Sequence, residues 1–242
     1  MIKLALLTMI RNESKRLKEW VEFHSKFYNF DKFVFYLDNC DDNSQELLDE
    51  LKKDHNIEYL FTKNIGSYNS VGHAARYEMC ERQKVSFTEG FKYLNNDYDW
   101  VAIFDVDEFV VPNNISDFNL KNILSETEKN RIYLPMYCFT PPFDHNKSIV
   151  DQNFFRWTTE ERILNGHKDS GKSIIRGRIN IDTEFLCDIH GGPDLKIYED
   201  SVEVSSDFIL QHFQSHTFHI NKKYELFDDS LRRMITNQVK FQ

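Results

Sequence analysis

Two aspartates two residues apart, Asp105 and Asp107, stand in Phe104-Asp105-Val106-Asp107-Glu108-Phe109, directly after the apolar run 100–104. Carboxylates leaving a buried strand at this spacing offer hard oxygen ligands to a divalent cation. A cation held there can bridge the two phosphates of a sugar nucleotide and stabilise the charge that grows on a departing diphosphate. An acidic turn explains an isolated Asp-x-Asp equally well; the strand end and the flanking apolar residues favour the metal. His212, after the apolar run 208–210, is expected as a third ligand. Its imidazole suits manganese better than magnesium, with His216 and His219 as neighbouring rivals.

Three other polar clusters follow apolar runs in the same way: Arg11-Asn12-Glu13, then Asp38 to Ser44, then Lys63-Asn64-Ile65-Gly66-Ser67. In open α/β sheets ligands sit outside the carboxyl ends of the strands, so one nucleotide site explains all four clusters together. Glu13 is expected to accept hydrogen bonds from ribose hydroxyls and Asp38 from a uracil N–H; each is also an ordinary loop acid. Arg11, Asn12 and Lys63 complete the donor-facing edge. Arg76, in Gly72-His73-Ala74-Ala75-Arg76, and Lys172, in a basic segment with Arg176 and Arg178, are expected to face the diphosphate. A solvated strand face is the plainer account of that segment. His190, before Gly191-Gly192 where backbone can approach a ligand closely, is expected to line the donor or acceptor pocket, a structural turn being the equal alternative.

The elements that must position these residues alternate in period. Short apolar runs at 2–9, 33–37, 57–61 and 100–104 read as strands buried on both faces. Helical spacing separates them: Leu17, Trp20, Val21, His24, Phe27 and Tyr28 after a cap at Ser14, then Leu47, Leu48 and Leu51, then a long stretch over 69–94 with a break near Gly90. The order β-α-β-α-β-α-β predicts an α/β fold with a doubly wound, mostly parallel sheet. A helix near 120–128 and a strand near 132–137 follow, then an irregular region over 139–200. The organisation expected is a nucleotide-binding half over 1–112, an acceptor-side half over 113–221 and a C-terminal helix over 222–242.

Several classes are disfavoured. No GxGxxG follows the first strand and no GxxxxGK[ST] is present, which argues against dinucleotide oxidoreductases and P-loop phosphotransferases. A formal charge of -9 disfavours nucleic acid as a bulk partner. No run of about 18 apolar residues exists to span a bilayer, and the N-terminal run reads as a strand and not a signal peptide. Cys40, Cys80, Cys138 and Cys187 lack CxxC spacing and are expected as reduced core thiols of a cytoplasmic protein.

The ordered set Arg11-Asn12-Glu13, Glu19 to His24, Phe35-Tyr36-Leu37-Asp38-Asn39 and Asp99 to Phe109 resembles glycosyltransferase family 92 and the family 2-like enzymes. The likeness continues more loosely through Lys172-Ser173-Ile174-Ile175-Arg176, His190 and Gln211-His212-Phe213. The resemblance implies a GT-A fold, a UDP-linked sugar donor, manganese or magnesium, and an inverting displacement; a glycan or lipid-linked glycan hydroxyl is the acceptor expected, though not one the resemblance carries over. It also favours His212 as a ligand and Glu161 as the catalytic base, an alternative for Glu161 being a structural ion pair. Asp144 is a second carboxylate candidate, because inversion needs a base near the acceptor hydroxyl. Phe139-Thr140-Pro141-Pro142 departs from the glycine-containing stretch those enzymes carry near the acceptor. A metal-dependent phosphohydrolase and a non-catalytic sugar-nucleotide-binding module are the competing functions. Tyr224, Phe227, Leu231, Ile235 and Val239, with basic neighbours, form a stripe that packs on the core or contacts the inner membrane face.

Overall fold

The computed structural model describes residues 2–68, 72–112, 119–140, 155–157, 171–181, 187, 202–205, 208–213 and 224–227. They form two compact units interleaved along the chain. The first contains Met1–Val106, Asn119–Tyr133 and Lys172–Glu203; the second contains Asp107–Phe118, Leu134–Gly171 and Val204–Gln242. The change of unit thus falls inside the Asp-x-Asp motif, six residues before the boundary expected at 112.

In the first unit, strands β1 (Leu4–Ile10), β2 (Lys32–Leu37), β3 (Ile57–Phe61) and β4 (Trp100–Ile103) lie in the order β3-β2-β1-β4, all parallel. Beyond β4, strand β8 (Gly171–Arg176) adds antiparallel, with Ile103 opposite Ser173. Helices α1 (Ser14–Tyr28), α2 (Ser44–Leu51), α3 (Gly72–Leu94) and α4 (Leu120–Glu126) belong to this unit. Strand alternation divides the apolar residues between faces. Phe33 and Phe35 meet Trp20 of α1 edge-on, while Val34 and Tyr36 join Phe87, Phe91 and Leu94 of α3 in one buried cluster. The sheet is therefore covered on both sides, as runs apolar at every position require.

The expected break near Gly90 does not occur; α3 continues through it. A Cβ at Gly90 would lie 2.5 Å from Leu7 Cδ1. The glycine serves close helix-to-strand approach and not chain reversal. The helix is described from Gly72 to Leu94; residues 69–71, also expected within it, lie outside the described residues.

The second unit has strand β5 (Glu108–Pro112) antiparallel to β10 (Phe208–Phe213), which runs parallel to β6 (Arg131–Thr140), a strand that starts in the first unit. Strand β7 (Phe155–Trp157) pairs antiparallel with β6, and β11 (Tyr224–Phe227) with β7; a short β9 (Val202–Val204) spans the change from the first unit to the second. A helix was expected from Lys222. Over Tyr224–Phe227 the chain is a strand instead, because ladder pairing with β7 outweighs a stripe whose helical repeats lie further along, outside the described residues. Among the described cysteines Cys187 is buried, as a core thiol should be, while Cys40 and Cys80 are only half-buried and do not lie in the core expected for them.

His24 is fully buried in α1 among the rings of Trp20, Phe23, Tyr28, Phe30 and Phe104. Its Nδ1 donates to the Trp20 carbonyl at 2.9 Å. Burial penalises the imidazolium and lowers the pKa to about 3 despite that bond. The unfolded chain, with an ordinary imidazole near 6.5, therefore binds the extra proton first as pH falls. Stability contributed by neutral His24 is complete above about pH 6.5 and declines towards pH 3. Between pH 7 and pH 5 the expected loss is about 2 kcal/mol. Denaturant titrations should show His24→Phe with a correspondingly shallower pH dependence; equal slopes in both proteins would contradict the assignment.

Candidate functional site

The loops that leave β1 and β2 are shaped by two asparagines. Asn12 and Asn39 adopt positive φ, 59° and 51°, a conformation asparagine tolerates better than most residues. Asn12 binds across the gap to Asp41: its Oδ1 accepts from the Asp41 backbone N–H at 2.9 Å and its amide donates to the Asp41 carboxylate. Asp42 joins the two helix starts. Its carboxylate accepts from the backbone N–H of Ser14, first residue of α1, and of Ser44, first residue of α2, both at 3.0 Å. The residues preceding these helices, Glu13 and Asn43, make no side-chain cap of their own. Asp42 is thus a shared cap that satisfies amide groups a helix leaves open. Glu13 is held through its backbone, donating to Ser44 Oγ at 3.1 Å and accepting from the Arg16 and Leu17 amides. Its half-buried side chain lies in the same loop.

Asp38, at the end of β2, is fully buried, and its carboxylate is gripped by Arg82 of α3. Arg82 Nε donates to Oδ1 at 2.6 Å and Nη2 to Oδ2 at 3.1 Å, while Nη1 reaches the Ile65 carbonyl at 3.0 Å. Thr62 Oγ1 adds a bond to Asp38 Oδ1 at 3.0 Å. The Tyr68 ring lies 4.4 Å from the Arg82 guanidinium and 5.6 Å from that of exposed Arg11. A bidentate arginine–carboxylate pair fixes both distance and angle, so Arg82 ties the β2 end to the loop before α3. Asp38 as placed is a structural acceptor for arginine, and the uracil N–H expected to bind it finds both oxygens engaged.

One residue on, Gln83 turns to the end of β4. Its Nε2 donates to Asp105 Oδ1 at 3.0 Å, and Lys172 Nζ lies 2.8 Å from Oδ2. The Lys172 side chain is 4% exposed and that of Asp105 30%. Lys172 belongs to β8, so the basic segment expected as a solvated face or a phosphate contact instead buries its lysine beside the motif. Adjacent residues of α3 therefore hold the carboxylates at the ends of β2 and β4, with β1 between those strands.

The other expected residues are more dispersed. Lys63 is exposed and pairs with Glu89 of α3, and Arg76 is exposed on the same helix. Asp107 is half-buried and precedes β5 in the second unit, where the β5–β10 register sets His212 opposite Glu108. Among the described residues no three histidine, cysteine or acidic side chains cluster to hold a metal. The side chain of His212 is not among them. Glu161, Asp144 and His190 lie outside the described residues. Arg82, Gln83, Thr62 and Tyr68 were absent from the expected set. No local signal in the sequence marks Arg82 or Gln83, whose carboxylate partners lie 44 and 22 residues away.

A family profile described as glycosyltransferase family 92 matches residues 7–240. Glycosyltransferase family 92 proteins of Ricinus communis and Arabidopsis thaliana are 28% and 30% identical to this chain over 107 residues. Those matches cover 44% of this chain and 16% of each relative, so the compared segment is a small part of the relatives' length. The crystal structure of S. aureus TarS 1-349 in complex with UDP-GlcNAc aligns over 93% of this chain and 62% of its own, with a TM-score of 0.51 and 14% identity. Longer S. aureus TarS aligns over 88% and 37%, with a TM-score of 0.52. At that identity the likeness shows the fold, which is GT-A-like.

The buried Asp38–Arg82 pair yields a test of what holds the edge together. Arg82→Met leaves Asp38 as an uncompensated buried charge, and an expected cost of about 3–5 kcal/mol follows. Asp38→Leu/Arg82→Met removes both charges and should recover a large part of that loss. Additive losses in urea unfolding would show that the pair does not couple.

Proposed function

This chain belongs to glycosyltransferase family 92, and on that footing we propose that it moves a sugar from a UDP-linked donor to a glycan or lipid-linked glycan hydroxyl. The observation that carries the reading is the state of the two strand-end carboxylates. Asp38 and Asp105 are each neutralised by a tethered cation, Arg82 and Lys172. Unpaired carboxylates at that edge would repel a diphosphate; paired ones do not. Exposed Arg11 and Arg76 supply the positive charge an approaching anion meets. The nucleotide class is supported by the likeness of fold to TarS, whose structures include complexes with UDP-GlcNAc and UDP.

In the proposed reaction the acceptor oxygen bonds to the anomeric carbon as the bond to the diphosphate breaks, with inversion. A carboxylate takes the hydroxyl proton; Glu161 and Asp144 are the candidates retained from the sequence. Manganese or magnesium belongs to the same proposal and would supply positive charge to the departing diphosphate. Asp107 and His212 fit such an ion by donor type, and the register of β5 and β10 brings their backbones within one residue of facing each other. Asp105 is less suited, because the Lys172 ammonium on its Oδ2 sets a positive charge where an ion binding that carboxylate would approach. We also propose a cytoplasmic location with peripheral contact to the inner membrane face, where lipid-linked acceptors are presented. Among the described residues no helix is long and apolar enough to cross a membrane.

A ligand bound only by the native state raises the unfolding midpoint by mass action. UDP should therefore raise it more than GDP, CDP or ADP, and manganese should enlarge the UDP shift. Asp107→Ala is expected to keep its circular dichroism spectrum and lose the manganese-dependent increment. Equal shifts for the four nucleotides would sink the uridine reading, and an unchanged increment in Asp107→Ala would remove Asp107 from the metal.

A further inference from the structure

At Asp105 the place a cation would take is already filled from within the chain. Lys172 Nζ sits 2.8 Å from Oδ2 and Gln83 Nε2 3.0 Å from Oδ1. Neither donor is a loosely draped surface group. The Lys172 side chain is 4% exposed, on a strand fixed to β4 by the pairing of Ile103 with Ser173. Gln83 is buried on α3, the residue after the arginine that anchors Asp38. A buried ammonium cannot easily leave its carboxylate, because its charge would lose the partner that offsets desolvation. A divalent ion binding the same carboxylate would have to displace a donor and accept a positive charge a few ångströms away.

We propose that Lys172 is a positioning residue, the resident counter-cation of Asp105, and that it withholds Asp105 from divalent-cation ligation. The two aspartates of the motif then have different work. Asp105 is a fixed carboxylate, oriented by Lys172 and Gln83. Asp107, after the change of unit, is the carboxylate the proposed function assigns to a metal. The division deepens the proposed function and rests on it only for the identity of the donor.

Manganese alone, without nucleotide, titrated into the full chain and followed by the electron paramagnetic resonance of the free ion, tests this directly. Asp105→Asn should bind manganese as wild type does, within about threefold. Lys172→Met, which releases Asp105, should bind at least about tenfold more tightly, and Lys172→Met/Asp105→Asn should lose that gain. Lys172→Arg keeps a cation on the carboxylate and should stay at the wild-type affinity. It also carries the comparison with Asp105→Asn if the methionine variant fails to fold. A tenfold or greater weakening in Asp105→Asn, tightening in Lys172→Arg, or a folded Lys172→Met with unchanged affinity would overturn the proposal. A missing UDP thermal shift beside the expected manganese pattern would instead sink the donor reading and leave this one standing.

Discussion

The close seating of α3 on β1 is the constraint from which the edge of the first unit follows. Gly90 lets the helix backbone approach Leu7 to a distance that any side chain would block, since even a Cβ would lie 2.5 Å from Leu7 Cδ1. Phe87, Phe91 and Leu94 then enter the cluster formed by Ala5, Leu7, Val34, Tyr36, Val101 and Ile103. About two turns earlier, at roughly 1.5 Å of rise per residue, the same helix presents Arg82 and Gln83. Consecutive helical residues point about a third of a turn apart. One can therefore reach the end of β2 while the next reaches the end of β4. The polar edge inherits its spacing from an apolar contact one helical segment away.

Charge explains why that spacing needs arginine and lysine. Asp38 is wholly removed from solvent, and an isolated carboxylate there would be heavily penalised. The bidentate guanidinium offsets that cost and, through Ile65 and Tyr68, fixes a loop that has few apolar contacts of its own to order it. Lys172 does the corresponding work for Asp105 from the opposite side of the sheet order, on a strand that joins antiparallel beyond β4. Each pair is locally neutral. An edge built of acids can therefore receive an anion, provided that the remaining exposed groups are positive.

Much of the first unit was legible in the sequence, because its strands and helices announce themselves through local period. Strand Ile57–Phe61 and the end of α1 at Tyr28 fall where the spacing put them. What escaped were facts set by partners far along the chain. Asp38 and Arg82 are 44 residues apart, and Asp105 and Lys172 are 67. Nothing in the neighbourhood of either aspartate distinguishes a carboxylate already claimed from one awaiting a ligand. Strand β5 was missed because Glu108 to Pro112 directly follows the motif and was absorbed into its description. The C-terminal stripe misled for a different reason: over four residues, Tyr-Glu-Leu-Phe serves a period of two as well as one of 3.6.

The dense polar loop after β2 shows how such an edge should be weighed. Its acids looked interchangeable as nucleotide contacts, yet each described one has a separate structural duty. Asp38 takes the arginine, Asp41 binds Asn12 across to the β1 loop, and Asp42 caps two helices at once. Burial raises the Asp42 pKa, but the bonds from Ser44 and Ser14 outweigh it and leave the carboxyl below its usual value, as a carboxylate accepting amide donors should be. Convergence of acids at the strand ends thus arises partly because helix starts also converge there and need acceptors. In the proposed donor binding, exposed Arg11 and Arg76 would act around a frame whose carboxylates Asp38 and Asp105 are already paired with Arg82 and Lys172.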